Sequence, residues 1–201
     1  MKTLIMIDLQ NDFMPGGALE VPDGDAVVPV INAIQQKFDM VIATQDWHPP
    51  GHKSFASSHK GKKVFDTIDL HGTDQVLWPD HCVQGSKGAD FHPDLDLLPA
   101  ESIFRKGTDS EIDSYSAFFD NGHQKSTGLA GYLREKGADE LYFCGLAADV
   151  CVYFSIMDAV NEAFTSFLLL DATRPLDKGE FSLQKKKMRD RGVKILQTKE
   201  L

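Results

Sequence analysis

The sequence predicts an α/β fold: a three-layer α/β/α arrangement around a central, mainly parallel sheet of about six strands. Short continuous apolar runs alternate along the chain with segments whose apolar residues recur at three- and four-residue steps. That is the pattern of strands buried on both faces and joined by crossover helices. The 201 residues also suffice to close one substantial core, burying roughly 70% of the surface an unfolded chain exposes. A single domain over residues 1–201 is therefore expected.

Thr3 to Asp8, TLIMID, is a branched apolar run ending in a carboxylate, the mark of a buried strand entering a loop. Asp25 is placed to cap a helix carrying Val27, Val30, Ile31, Ile34 and Phe38 on one side, with Pro29 in its first turn. A second strand is expected at Met40 to Thr44 and a third at Ser102 to Arg105. Residues 124–135 are expected to form a helix around Leu129, Tyr132 and Leu133, stopped by Gly137. Leu141 to Gly145 is a further buried strand. Asp149 is placed to start a largely apolar helix through Val160. Strands at Thr165 to Leu170 and Val193 to Leu196 flank a charged helix over Lys178 to Arg189.

Between Pro49 and Pro99 the chain reads as loop, rich in His, Gly, Asp and Pro. So long an irregular stretch is unusual inside a compact domain unless it builds a site. The 45–100 region is accordingly expected to form much of one.

Thirty acidic against 21 basic residues give a formal charge of -9, which disfavours nucleic acid and anionic membrane as partners. The basic cluster Lys185 to Lys187 with Arg189 and Arg191 reads as a solvated helix face. The apolar start is interrupted by Asp8, too early for a signal peptide or membrane span, so a cytoplasmic protein is expected. Three cysteines without CxxC spacing, Cys82, Cys144 and Cys151, read as free thiols.

In an open parallel sheet, ligands gather beyond the carboxyl ends of the strands. Asp8, Asp46, Lys106 and the segment Ala147 to Cys151 all fall at such ends. Cys151 lies between a strand and a helix start, where free backbone donors and the helix dipole favour a thiolate; read blandly, it is a buried hydrophobe. Asp8 and Lys106 can form a structural ion pair at the rim, and Lys106 can also offer the thiolate a cation. Asp46 and His48 are two residues apart, and in extended backbone both side chains project to one side. They can offer an oxygen and a nitrogen to a divalent metal such as zinc, iron or manganese. His81, between Pro79 and Cys82, is the best-placed third ligand, with His52, His59 and His71 as competitors. Phe13 and Trp78 lie in the same rim loops and suit a small flat ligand or plain loop packing equally well.

The motifs DLQNDF (8–13), QDWHP (45–49), WPDHC (78–82), RKG (105–107) and GLAADVCV (145–152), in this order, resemble the nicotinamidase/pyrazinamidase branch of the isochorismatase-like cysteine hydrolases. The resemblance implies an isochorismatase-like fold and a catalytic triad of Asp8, Lys106 and Cys151. It implies one divalent metal, with zinc foremost, on Asp46, His48 and His81, and His52 as an extra contributor directly or through water. An oxyanion hole of the Ala147 and Cys151 backbone amides is implied, with a non-proline cis peptide at Leu146–Ala147. Phe13, Trp78, Tyr115 and Ala147 would hold a pyridine carboxamide.

The implied activity is hydrolysis of nicotinamide to nicotinate and ammonia through a cysteine thioester, with pyrazinamide also accepted and a role in NAD salvage. Either a monomer or a small homo-oligomer is compatible with the sequence. A carbamoyl or ureido amidase would share the triad but not the DWHP and WPDHC pair. True isochorismatase does not use the thiol, and a pure binding protein needs no nucleophile.

Overall fold

Along the first strand, β1 (Lys2–Ile7), side chains alternate between two cores. Leu4 and Met6 enter one, Ile5 and Ile7 the other, and all four are fully or almost fully buried. The same alternation runs through β2 (Met40–Asp46), β6 (Glu140–Gly145) and β7 (Thr165–Thr173). A strand buried on both faces must be covered on both. In the computed structural model, which describes residues 1–201, α1 (Val27–Ile34) covers one face, packing Val27, Val28 and Ile31 onto it. The opposite face is covered by α2 (Leu129–Glu135), α3 (Tyr153–Asn161) and α4 (Lys178–Asp190), through Leu129, Leu133, Ile156, Phe181 and Met188 among others.

Together with β5 (Ala100–Lys106) and β8 (Lys194–Leu196), these strands form one six-stranded, wholly parallel sheet ordered β5-β2-β1-β6-β7-β8. The three-layer α/β/α fold expected from the sequence is the one observed. The chain winds outward from β1 through β2 to β5, then crosses to the other side of β1 at β6 and winds the other way. The crevice between the ends of β1 and β6 is therefore a topological switch point, where such sheets place their ligands.

Four local expectations need correction. Asp25 caps nothing: a 3-10 turn, Gly24–Ala26, precedes α1, so the helix begins without a side-chain cap. The expected helix over 124–135 starts only at Leu129, because Gly128 at φ 90 breaks the backbone just before it. Asp149 does not open an α-helix either. Residues Ala148–Val152 form a π-helical turn that feeds α3.

Within the 49–99 stretch lies an antiparallel hairpin, β3 (Thr67–Leu70) with β4 (Thr73–Val76). Its strands are short, mostly polar and only partly buried, which hid the apolar alternation that reveals a strand. Asp177, not anticipated, caps α4 by accepting the Gly179 and Glu180 amides. The lysines and arginines of the last half of α4 are exposed or half-exposed. No helix is long and apolar enough to cross a membrane.

Candidate active site

Four strand ends build the site. Asp8 directly follows β1, Asp46 ends β2, Lys106 ends β5, and Cys151 sits in the π-helical turn after β6. The register pairs Asp46 with Lys106 directly. Lys106 Nζ lies 2.9 Å from Asp8 Oδ2 and donates to Asp46 Oδ1 at 3.0 Å, to the Ser114 carbonyl at 3.0 Å and to Cys151 Sγ at 3.5 Å. All four side chains are buried. The Thr44 hydroxyl donates to Asp8 Oδ1 at 2.6 Å and holds the carboxylate in place.

Burial decides the electrostatics of this cluster. Desolvation, with Asp46 nearby, pushes the Asp8 carboxyl above its ordinary range, although Lys106 and Thr44 pull the other way. Desolvation acts the same way on Asp46, but His48 and Lys106 outweigh it and hold the carboxyl well below the usual range. Lys106 loses solvation too, and Asp46, Asp8 and Cys151 more than compensate, keeping it protonated. For Cys151 the expected thiolate is not the resting form. Burial pushes the thiol well up, with Asp8 and Asp46 adding to the rise against Lys106. The sulfur sits among carboxylates, and only one cation opposes them.

Around Cys151 the Leu146–Ala147 peptide is cis. The Ala148 amide donates to Arg174 O, and those of Val150 and Val152 to Ala147 O, while the Ala147 amide has no backbone acceptor. Asp149 turns away from the helix and accepts the Leu176 and Asp177 amides at 2.8 and 2.7 Å. It thereby ties the nucleophile's turn to the loop that carries Leu176.

Beside the cluster, Asp46, His48 and His81 bring three ligand atoms together. His48 Nδ1 faces the Gly107 carbonyl at 3.0 Å and His81 Nδ1 the Pro79 carbonyl at 2.8 Å. A carbonyl only accepts, so each Nδ1 carries the proton and, in the neutral ring, each Nε2 carries a lone pair. Those Nε2 atoms approach Asp46 Oδ2 to 2.9 and 3.3 Å. Two lone pairs and a carboxylate oxygen pointed at one place is the donor set of a divalent cation, with the backbone contacts fixing both tautomers. Gly107 makes room for this arrangement, since a β-carbon there would stand 2.7 Å from His48 Nδ1.

Of the competing histidines, His59 bonds the Lys53 carbonyl, and His71 is half-exposed beside Glu111. His52 is buried against His48, ring centroids 4.4 Å apart. Its Nδ1 accepts the Ser54 amide, and its Nε2 is buried without a partner. Together with His48 and Asp113 it forms a second group of close ligand atoms.

A cavity opens onto Cys151, Lys106 and His81. Phe13, Trp78, Tyr115 and Ala147 line it, together with Leu19, Val150 and Leu176. Sequence reasoning missed Asp113 and Ser114, which also line it. Both lie in an irregular segment with no periodicity to mark them, although their closeness to Tyr115 in the chain was a usable signal.

Residues 2–200 match the model of the isochorismatase domain. The chain belongs to the isochorismatase family. Among relatives within it, the nicotinamidase of Acinetobacter baylyi is 50% identical over 174 residues, 87% of this chain and 81% of that one. The nicotinamidase of Escherichia coli is 46% identical over 86% of this chain and 83% of its own. Among solved structures, the Acinetobacter baumanii nicotinamidase/pyrazinamidase superposes with a TM-score of 0.97 at 44% identity, covering 99% of this chain and 97% of that one. PnC1 from L. infantum, solved with nicotinate, gives 0.88 at 40% identity, covering 99% and 93%. The Pyrococcus horikoshii pyrazinamidase, solved with zinc, gives 0.81 at 36% identity, covering 98% of each chain. This isochorismatase-family chain therefore sits among nicotinamidases, at identities that extend across nearly the whole fold.

Proposed function

We infer that the chain hydrolyses nicotinamide to nicotinate and ammonia through a thioester on Cys151, and that pyrazinamide is a second substrate. The observation that carries this reading is the convergence of Asp8, Lys106 and Cys151 directly beside the Asp46, His48 and His81 donor set, with Cys151, Lys106, Asp46 and His81 all lining one aromatic cavity. The zinc and nicotinate in related structures support a metal-bearing site for a pyridine ring.

The chemistry follows from the resting state. Cys151 is a thiol and Asp8 a carboxylate made more basic by burial. When the amide carbon meets the sulfur, the thiol proton passes to Asp8 and Sγ attacks. Both the donor and the acceptor of that proton touch Lys106. The negative charge therefore moves from one neighbour of the ammonium to another and never loses its counter-ion. The Ala147 and Cys151 amides receive the developing oxyanion. Asp8 then returns its proton to the leaving nitrogen, releasing ammonia and leaving the acyl group on sulfur. A water gives its proton to Asp8 and attacks the thioester. Collapse expels Cys151, which recovers the proton, and nicotinate leaves.

Asp46, His48 and His81 would hold a divalent ion, zinc foremost, which when bound supplies a docking point for the ring nitrogen. His52 contributes through water, because accepting the Ser54 amide at Nδ1 leaves Nε2 as the protonated nitrogen, a donor and not a lone pair. Phe13 and Trp78 take the two faces of the ring, and Tyr115 closes a third side.

The test is ammonia release from nicotinamide by purified protein, before and after chelation, with Cys151→Ala as the blank. Release that needs both metal and Cys151 is expected. Metal-loaded protein that releases ammonia only from carbamoyl or ureido compounds would replace this reading with that of the neighbouring amidases.

A further inference from the structure

We infer that Gln75, on a hairpin outside the main sheet, is a positioning residue that fixes the Trp78–Tyr115 wall of the ring cavity and thereby its selectivity for the ring. This deepens the nicotinamide reading and rests on it.

The β3–β4 hairpin is a solvated ribbon in which only one strand residue is buried, Gln75 at 2% exposure. Burying an amide while Ile68, Leu70 and Val76 are only half-buried inverts the usual pattern, and calls for partners that use every polar atom. Gln75 has them. Its Nε2 lies 2.7 Å from the Val76 carbonyl, 2.9 Å from Tyr115 Oη and 3.3 Å from Asp113 Oδ2, while its Oε1 accepts from Asn121 Nδ2 at 3.3 Å. A carbonyl and a carboxylate can only accept, so the amide can be oriented in one way alone.

Tyr115 Oη also accepts from Trp78 Nε1 at 3.2 Å, and the two rings meet edge-to-face at 6.0 Å. Tyr115, Trp78 and Asp113 all line the cavity, whereas Gln75 does not. It therefore stands behind the wall and ties three of its residues together. Burial, with Asp113 beside it, pushes the Tyr115 phenol up, so the hydroxyl stays neutral and keeps both incoming bonds.

A residue that sets a wall touched equally by substrate and transition state changes KM and leaves kcat nearly alone. Gln75→Leu keeps the bulk and removes every polar contact. Gln75→Glu keeps the shape but replaces the donor with a carboxylate facing Asp113. Each should raise KM for nicotinamide about 3- to 10-fold, the equivalent of one net hydrogen bond of about 0.5–1.5 kcal/mol, with kcat within about threefold. The loosened wall should also narrow the preference for nicotinamide over 5-methylnicotinamide in kcat/KM. Tyr115→Phe removes the shared acceptor with Gln75 intact and should reproduce the KM rise, which keeps the inference testable where a Gln75 variant fails to fold.

A readout that needs no substrate separates this inference from the functional reading. The chain has two tryptophans, and Trp47 lies under the Arg105 guanidinium, 3.9 Å away, with no hydrogen bond to Gln75. Increased acrylamide quenching of tryptophan emission in Gln75→Leu therefore reports Trp78. Wild-type protein that releases no ammonia from nicotinamide would sink the functional reading, and the quenching would still decide the role of Gln75. Unchanged quenching, or unchanged KM and ring preference with only a lowered Tm, would overturn the inference. A fall in kcat at constant KM would overturn it as well.

Discussion

Replacing Lys106 by Met removes the cation shared by Asp8 and Asp46, which are 0% and 2% exposed. Methionine nearly matches the lysine stem in volume, so the change is almost purely electrostatic. Breaking a buried ion pair by deleting one partner costs about 3–5 kcal/mol, because the charge left behind has neither solvent nor counter-ion. Here Asp8 is left with no cation while Asp46 keeps His48 at 2.9 Å, so a loss of about 4 kcal/mol, the middle of that range, is expected. At an m-value of about 2 kcal/mol per molar urea this is a fall in midpoint of roughly 2 M. The comparison belongs in chelator throughout, since a cation on Asp46 would stand in for the lysine. The penalty should shrink on acidification. Without Lys106 the folded Asp8 carboxyl is raised further above its unfolded value, so the folded state binds the extra proton and the gap to wild type narrows as pH falls. Asp8→Asn in the Lys106→Met background should recover part of the loss, and the non-additivity measures the pair. A loss under about 1 kcal/mol for Lys106→Met at neutral pH would show that water reaches the cluster and that its burial does not govern its energetics.

Other outcomes follow from the same geometry. Asp8→Asn keeps the Thr44 contact but cannot take the thiol proton, so kcat should fall about 10²- to 10⁴-fold with zinc content unchanged by elemental analysis, and the acyl adduct on Cys151 should be absent by mass spectrometry. Gly107→Ala places a β-carbon against His48 Nδ1; the imidazole must move, and zinc affinity measured by calorimetry should weaken about 10- to 100-fold, whereas unchanged affinity would exclude His48 from the donor set. The acid limb of kcat/KM should have its midpoint above the ordinary aspartate value of about 3.9. Asp8 must be ionised to act, and burial raises its carboxyl, so activity is present above that raised midpoint and lost as pH falls through it; a midpoint at or below the ordinary value would contradict the assignment. Asp149→Ala frees the Leu176 and Asp177 amides and should raise KM for nicotinamide by letting Leu176 leave the cavity, checked by initial rates.

What the sequence disclosed and what it hid divide along a physical line. Asp8, Asp46 and the turn of Cys151 were readable because each ends a buried strand, whereas Lys106 ends the half-exposed edge strand β5. A doubly buried strand writes itself as an apolar run, and the residue that ends such a run in a parallel sheet lies on the rim where ligands bind. The directions of their ionisation were not readable. The helix-dipole reasoning that predicts a thiolate at Cys151 treats the turn as isolated and solvated, whereas burial of the thiol reverses the sign, with Asp8 and Asp46 from strands far away in sequence adding to the rise. Gln75, Asp113 and Asp149 stayed hidden for a related reason. None is in an apolar run, and what Gln75 and Asp149 do is set by partners 27 to 46 residues away, such as Leu176 for Asp149 and Tyr115 and Asn121 for Gln75. Periodicity reports a residue's burial through its neighbours in the chain, but a buried amide or carboxylate is explained only by what crosses to meet it. The parallel sheet therefore places the candidate chemistry. Polar side chains in irregular segments, which no pattern announces, shape the cavity in which that chemistry is applied.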